Sequence, residues 1–444
     1  MTKAKPETPA RAATAWRRFT CAALVAMAML HAGCVYTNTV VNGVRSALLS
    51  KSKQNNYVFH PSFVVEEPEF FRSLHIIGEG MVGGNHAILL ENGDQIFPAM
   101  TADIRAAQVS VNMETFIFED DEAGRLFADA LIEAASRGVK VRLTVDDWGS
   151  NLGKLEKEMV DAGVRIAKYN PLHFYTIRRP GVRTHRKLLI VDGRIGYTGG
   201  LGVDERWLGN ARNEDEWRDT QVRVTGPVVA QLQGIFNENW TFTTAEILAG
   251  DDYFPALQPT GKMIAHAIKA STGDSASLPK MLYIMTIQAA RQYLHITNPY
   301  FIPDAQVRRA LVAAAQRGVD VRVLVPGEHN DLPMIRHNSR MHYAELLRGG
   351  VRICEYTPTM IHSKMMVVDG IFSTIGSINF DARSMSVNAE ESLSVYDRDF
   401  AGAMEAMFQR DLQHCEEMEY EKWQRRSIFK RAGETIFWIL EPYY

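Results

Sequence analysis

The sequence predicts an α/β protein made of two copies of one α/β unit, and three observations carry that prediction. Four segments recur in the same order in the two parts of the chain, so a duplicated unit lies beneath it. Within each copy short, β-branched apolar runs alternate with Ala-rich helical stretches, the pattern of a layered structure with a largely parallel sheet. The 444 residues are 46% hydrophobic, 23% charged and 9% aromatic, an ordinary globular composition long enough for two or three cores. That balance excludes a disordered or collagenous chain. Cys21, Cys34, Cys354 and Cys415 share no C-x-x-C spacing, which leaves neither a zinc ribbon nor a disulfide framework to read.

The N-terminus has the zones of an export signal: basic Lys3, Lys5, Arg11, Arg17 and Arg18, then an apolar run from Phe19 to Gly33. Those residues fall short of the roughly 18 to 20 needed to span a bilayer, so a polytopic membrane protein is excluded. Leu30-His31-Ala32-Gly33-Cys34 resembles a bacterial lipobox and makes Cys34 the candidate lipidation site. His31 stands where that pattern wants an apolar residue, so an ordinary cleaved signal, an uncleaved anchor and a fortuitous apolar helix stay open. A signal or anchor over 1–33 places the body outside the inner membrane, on the periplasmic side of a bacterial envelope. Residues 34–60 read as a linker, 61–250 as the first half, 251–280 as the connection, 281–426 as the second half and 427–444 as a C-terminal tail. The connection is assigned on its Pro255, Pro259, Gly261 and the polar run Ser271 to Ser277. Five of the 49 basic and one of the 52 acidic residues precede residue 34, leaving 44 against 51. A net negative body without a basic stripe is not expected to bind nucleic acid.

The repeat is explicit in its residues. Val111 to Ile117 matches Ile296 to Ile302, Arg137-Gly-Val-Lys-Val-Arg142 matches Arg317-Gly-Val-Asp-Val-Arg322, and Gly163-Val-Arg-Ile166 matches Gly350-Val-Arg-Ile353. Most telling, His185-Arg-Lys-Leu-Leu-Ile-Val-Asp-Gly193 matches His362-Ser-Lys-Met-Met-Val-Val-Asp-Gly370. One offset of 177 positions relates His185 to His362, Lys187 to Lys364, Asp192 to Asp369 and Gly199 to Gly376.

On a strand, residues two apart share a face, so His185 and Lys187 point into one space while the run to Val191 continues inward to an Asp192-Gly193 turn. Asp192 has the opposite parity, and its expected role is to hydrogen-bond local backbone. Two imidazoles and two ammonium groups repel a divalent ion, so no metal and no cofactor is expected; they suit an anion. The chemistry that needs them is phosphodiester transfer. One imidazole attacks phosphorus, the lysines hold the non-bridging oxygens, and the other imidazole protonates the leaving alkoxide.

The duplicated motif resembles the HKD signature of the phospholipase D superfamily. More narrowly, Asn298 to Asp304, Val325 to Asp331, Glu355 to His362, Gly376 to Ser384 and Arg218-Asp219-Thr220 with Val222 to Pro227 are similar to bacterial cardiolipin synthases. The likeness covers roughly residues 60 to 426. It implies two α/β halves around a pseudo-two-fold axis, one shared active site and a phosphohistidine intermediate without metal. It implies that His185 is the nucleophile and His362 the general acid and then base, that Lys187 and Lys364 bind phosphate, and that Asp192 and Asp369 complete each motif. Ser377, Asn379 and Glu390 match the second copy in full, Glu390 being the residue that in relatives orients a catalytic imidazole. In the first copy Gly202 replaces the asparagine matching Asn379, so one phosphate hydrogen bond is either missing or supplied by backbone N–H groups of the Gly199-Gly200 turn. Aligning Val222 and Val224 with Leu393 and Val395 sets Asp219 opposite Glu390 as the second orienter, against a surface ion pair with Arg218 or Arg223.

Three function classes compete: a transferase joining two phosphatidylglycerols into cardiolipin, a hydrolase or nuclease using the same intermediate, and a silent envelope lipoprotein. The intact His and Lys residues oppose the last and the acidic body opposes a nuclease. The partners implied are phosphatidylglycerol or another phospholipid and a membrane surface, and one chain holds both motifs, so a monomer is sufficient. Asn330-Asp331, after the strand ending at Val325, reads as a head-group contact or a plain turn. Tyr169 to Arg183, with His173, Phe174, Tyr175, Arg178 and Arg179, reads as a site-entrance or solvated loop. The tail, with Ile428, Phe429, Lys430, Arg431 and Ile436 to Leu440, reads as a membrane-surface stretch or as packed on the body.

Overall fold

Among the described residues, runs of three to ten residues set between turn signals become fifteen strands of one sheet, and the repeat is visible in their order. The computed structural model describes residues 56–171, 182–271 and 277–426, which belong to one body. The N-terminal segment with Cys34, most of the linker, the 172–181 part of the Tyr169 to Arg183 stretch and the tail lie outside the described residues. The first half contains β1 (Val82–Glu91), β2 (Ser110–Thr115), β3 (Lys140–Asp146), β4 (Arg165–Tyr169), β5 (Leu188–Val191), β6 (Ile195–Gly199) and β7 (Thr220–Thr225). The second contains β8 (Met263–Ala270), β9 (Tyr293–Thr297), β10 (Asp320–Pro326), β11 (Arg352–Tyr356), β12 (Met365–Val368), β13 (Phe372–Gly376) and β14 (Glu390–Tyr396), with β15 (Cys415–Glu417) added at its edge.

The sheet runs β15-β11-β10-β9-β12-β13-β14-β8-β1-β7-β6-β5-β2-β3-β4. Apart from β15, the order read outward from the β8-β1 seam is the same on both sides, which is the pseudo-two-fold arrangement. At the seam β1 pairs antiparallel with β8, Val82 opposite Ala265 and Asn85 opposite Met263.

The expectation of a largely parallel sheet holds only for β2-β3-β4 and β9-β10-β11. The motif strands β5 and β12 run antiparallel to β2 and β9 and turn straight back into β6 and β13. A tight turn can join only antiparallel neighbours, whereas a parallel pair needs a crossover, here a helix. The 251–280 stretch is likewise more than a connection. It contains β8, a central strand, whose His266 and Lys269 between alanines and whose flanking prolines conceal the strand signal. Residues from the start of the expected first half also cross over: Val65, Phe70, Leu74 and Ile77 are buried with Leu282, Ile284, Leu294 and Phe372 of the second.

Helices cover both faces. Glu122–Ser136 and Ala305–Gln316 are capped by Asp121 and Asp304, whose carboxylates accept first-turn N–H groups. On the other face Val229–Thr244 and Arg398–Leu412 pack into one apolar core that spans the seam, with Val222, Val224, Ala265, Ala267, Leu393 and Val395. Cys354 and Cys415 form a disulfide across β11 and β15, Cα atoms 5.6 Å apart, a pairing that the 61-residue separation hides in the sequence. No helix among the described residues is long and apolar enough to cross a membrane.

Candidate active site

The residues before each motif leave their own sheet segment and bind the opposite half. The His185 N–H donates to Ala389 O at 2.8 Å and the Ala389 N–H to Arg183 O at 2.9 Å; in the other direction the His362 N–H donates to Arg218 O at 2.7 Å and the Arg218 N–H to Met360 O at 2.8 Å. Each histidine is thereby delivered beside the acid of the opposite copy. His185 Nδ1 lies 2.9 Å from Glu390 Oε2, and His362 Nδ1 lies 3.0 Å from Asp219 Oδ2 and 3.0 Å from Gly200 O. Both acids are fully buried. Asp219 thus lies buried against the His362 ring rather than in a surface ion pair; Arg218 pairs instead with Asp411 at 3.0 Å and Arg223 with Asp103 at 2.7 Å.

With Nδ1 facing carboxylate or carbonyl oxygens in both rings, Nδ1 carries the proton and Nε2 keeps the lone pair. Lys364 Nζ lies 2.9 Å from His362 Nε2, and Lys187 Nζ donates to His185 O at 2.9 Å, so both cations are buried beside the imidazoles. Burial, reinforced by the adjacent lysines, lowers His185 to about 4 and His362 to about 3. Burial also lowers Lys364 to about 7, against the pull of Asp219 and with the help of Lys187. Although burial opposes it, the His362 ring, Lys364 and Trp207 hold Asp219 below the usual carboxylate range, and His185, Lys187 and Ser377 do the same for Glu390. The site is a buried cluster in which two lysines lie beside two neutral imidazoles and two ionised carboxylates, so an anion entering it meets cations and ring nitrogens that burial has left short of charge.

Other expected site residues take different parts. Asp192 and Asp369 sit five residues beyond the lysines, about 16 Å along a strand, and do not face the imidazoles. The Asp192 carboxylate accepts the N–H groups of Gln108, Val109 and Ser110 at 2.7–3.2 Å, and that of Asp369 accepts those of Arg291, Gln292 and Tyr293 at 2.8–2.9 Å. Their role is architectural: each pins the entry of β2 or β9 to the motif hairpin, a backbone far away in sequence rather than the local one expected. Ser377 does not point at phosphate but donates to Glu390, and its N–H is taken by Glu391 O. The Gly200 N–H is not free for phosphate either. Gly199 is paired within the β6-β7 ladder and the Gly200 N–H donates to Thr220 O at 3.2 Å. Gly200 matters for its missing side chain, since a Cβ there would stand 2.2 Å from Asp219 Oδ1. Asn379 lies buried beside Ser377 with its Oδ1 unpaired.

Two participants escaped the sequence reading. Trp207 Nε1 donates to Asp219 Oδ2 at 2.8 Å, doing for the first copy what the Ser377 hydroxyl does for the second. Its ring lies edge-on to His362 at 5.2 Å and leaves no room for a side chain at Gly202, where a Cβ would be 2.9 Å away. Glu391 accepts from the Lys187 N–H at 3.0 Å and Thr198 Oγ1 at 2.9 Å, and burial pushes its carboxyl up. The departure of Gly202 from the pattern was the one available signal for Trp207.

A duplicated α/β sheet with one anion pocket of two histidines, two lysines and two crossed carboxylates defines a phosphodiester-transferring protein of the two-motif class. The comparisons agree. The family described as cardiolipin synthase, PLD-like domain, matches residues 100–240 and 283–412. Curated cardiolipin synthases are similar over most of the chain: that of Geobacillus kaustophilus is 32% identical over 84% of this chain and 75% of its own length, and that of a Geobacillus species 34% identical over 83% and 74%. The chain belongs to the cardiolipin synthase family of the phospholipase D superfamily. Among solved structures the fold resembles the phosphatidylserine synthase of Haemophilus influenzae, with a TM-score of 0.61 at 13% identity over 84% of this chain and 97% of that one.

Proposed function

We infer that the protein transfers a phosphatidyl group from one phosphatidylglycerol to another, forming cardiolipin and releasing glycerol, through a phosphohistidine and without a metal ion. The crossed pairing of each histidine with the acid of the other half carries this reading, because it aims two Nε2 atoms at one space flanked by two lysines. His185 is assigned as the nucleophile. It is the more accessible imidazole, 12% against 6% exposed at the side chain, and among the described residues its Nε2 makes no hydrogen bond.

In the first step His185 Nε2 attacks phosphorus, the bond to the glycerol oxygen breaks, and His362 Nε2 supplies the proton that the alkoxide needs. In the second a hydroxyl of another phosphatidylglycerol attacks phosphorus, its proton passes to His362, and the P–N bond breaks. Lys187, Lys364 and the Asn379 amide hold the non-bridging oxygens. The incoming phosphodiester supplies the charge that raises His362 into its acid form.

The body is proposed to act outside the inner membrane of a bacterial envelope, tethered at a membrane surface through Cys34. The Cys354–Cys415 disulfide supports export, since such bonds persist in oxidising compartments. Lipid mass spectrometry after incubation with phosphatidylglycerol tests the reaction. Cardiolipin is expected from the wild type with or without EDTA, phosphatidate alone would make the protein a hydrolase, and peptide mapping of trapped enzyme should find the phosphoryl group on His185. The intact mass of the native protein tests the tether: residues 34–444 plus acyl chains are expected, and an unmodified full-length mass refutes it.

A further inference from the structure

The loop after β10 brings two further oxygens to the site. β12 pairs with β9 so that Met365 faces Thr297, which sets Lys364 next to Asn298 and the Pro299-Tyr300 turn. Asn298 fixes that turn by accepting the N–H groups of Tyr300 at 3.3 Å and Phe380 at 3.1 Å. The Tyr300 hydroxyl donates to Asp331 Oδ2, and Tyr300, Pro326, Asn330, Asp331 and Arg336 line one narrow crevice. The loop is held at its start by the Gly327 N–H on Tyr356 O at 2.9 Å, and His329 lies 3.5 Å from Glu214 of the first half.

Within this crevice two acceptors are left over. The Asn330 amide spends its N–H groups on Gly327 O at 3.3 Å and Glu328 O at 2.9 Å, so its orientation is set and its Oδ1 is buried without a partner. Tyr300 occupies one oxygen of Asp331, and the other, Oδ1, is buried without a partner as well. Two adjacent, pre-oriented acceptors demand two donors, since a buried unpaired oxygen costs about 1 to 3 kcal/mol. An ammonium head group could supply donors, but Asp331 is within electrostatic reach of the cations Lys364 and Arg206, which repel it. Neutral hydroxyls meet no such repulsion.

We propose that Asn330 and Asp331 form the polyol subsite, where two hydroxyls of a glycerol head group are held as it leaves and as its successor enters. The proposal rests on the transfer reading above, and microscopic reversibility places the leaving and entering alcohols on one path. The site then selects among alcohols by paired acceptors that a monohydric alcohol, with one O–H, cannot satisfy.

The test is head-group exchange on detergent-dispersed phosphatidylglycerol with deuterated glycerol, 1-propanol or ethanolamine in competition, the products separated by mass spectrometry. Wild type is expected to favour glycerol over 1-propanol, and Asp331→Ala to reduce that preference at least tenfold. Asn330→Ala, in a half-buried loop position, should move the preference in the same direction and carries the test if Asp331→Ala does not fold by thermal melting. An unchanged glycerol preference in a folded variant overturns the proposal, as does a loss confined to ethanolamine. A wild type that exchanges no alcohol at all overturns the transfer reading itself.

Discussion

At the scale of single residues the two motif imidazoles have unlike support. Glu390 is oriented by a serine hydroxyl and Asp219 by an indole N–H, and the indole also seals the space over Gly202. Trp207→Phe keeps the ring and loses the donor. A hydrogen bond to a charged group is worth about 1.5 to 3 kcal/mol, so kcat should fall roughly 10- to 100-fold. KM should hold, and the limb of the pH profile that belongs to His362 should move; an unaltered profile would confine Trp207 to packing. The depressed imidazoles lead to a second expectation. An anion in the pocket raises their affinity for protons, so binding takes up protons, and affinity grows as pH falls from neutrality towards the low values of His185 and His362. Sulfate is a suitable probe because it does not titrate there. Calorimetry at pH 6 in buffers of different ionisation enthalpy should show uptake of about one proton, and no uptake would contradict the electrostatic account. At this scale the histidines and lysines were legible because the repeat marked them, Glu390 through the family resemblance and Asp219 by aligning the copies. Trp207 and Glu391 were not, since their roles depend on partners that only the folded chain brings near.

Among the elements, the motif hairpins carry most of the architecture. Asp192 and Gly193 both have positive φ, 53° and 61°, as do Asp369 and Gly370 at 50° and 64°, the geometry that matches the twist of a tight hairpin. The same Asp then gathers three N–H groups at the start of the neighbouring strand, so turn and strand order are set by one side chain. Asp192→Ala should therefore act on stability. A loss of about 2 to 3 kcal/mol and a melting midpoint several degrees lower are expected, with turnover per folded molecule within a few fold of wild type; loss of turnover without loss of stability would return Asp192 to the chemistry. Alternation of strand and helix was legible for β2 to β4 and β9 to β11. The hairpin returns β6 and β13 and the seam strand β8 were not, because short Gly-, Ala- and Ser-containing strands lack a strong apolar period, and their stability comes from neighbours on both sides.

For the molecule as a whole, the pairing of β1 with β8 makes one sheet of two halves, and the acids cross between them. Neither half holds a complete site. His185→Ala and His362→Ala should each reduce turnover by at least about 1,000-fold, with the double variant no worse than either single, as for groups that act as a unit. Mixing the two single variants should restore nothing, because both imidazoles of a site come from one chain; recovery on mixing would show exchange of halves between copies. The duplication itself was legible from one offset of 177 positions, whereas the crossing of the acids was not, as sequence order assigns each acid to its own copy. The seam's symmetry also bears on what each half is free to change. A strand that pairs antiparallel with its own counterpart across a two-fold axis is a self-complementary contact, the kind by which two identical chains close into a dimer. In such a dimer every mutation falls twice, and both histidines must keep the same surroundings. In one chain the two sides mutate separately, so a serine hydroxyl supports one acid while an indole over a glycine supports the other, and the two imidazoles need not share one part.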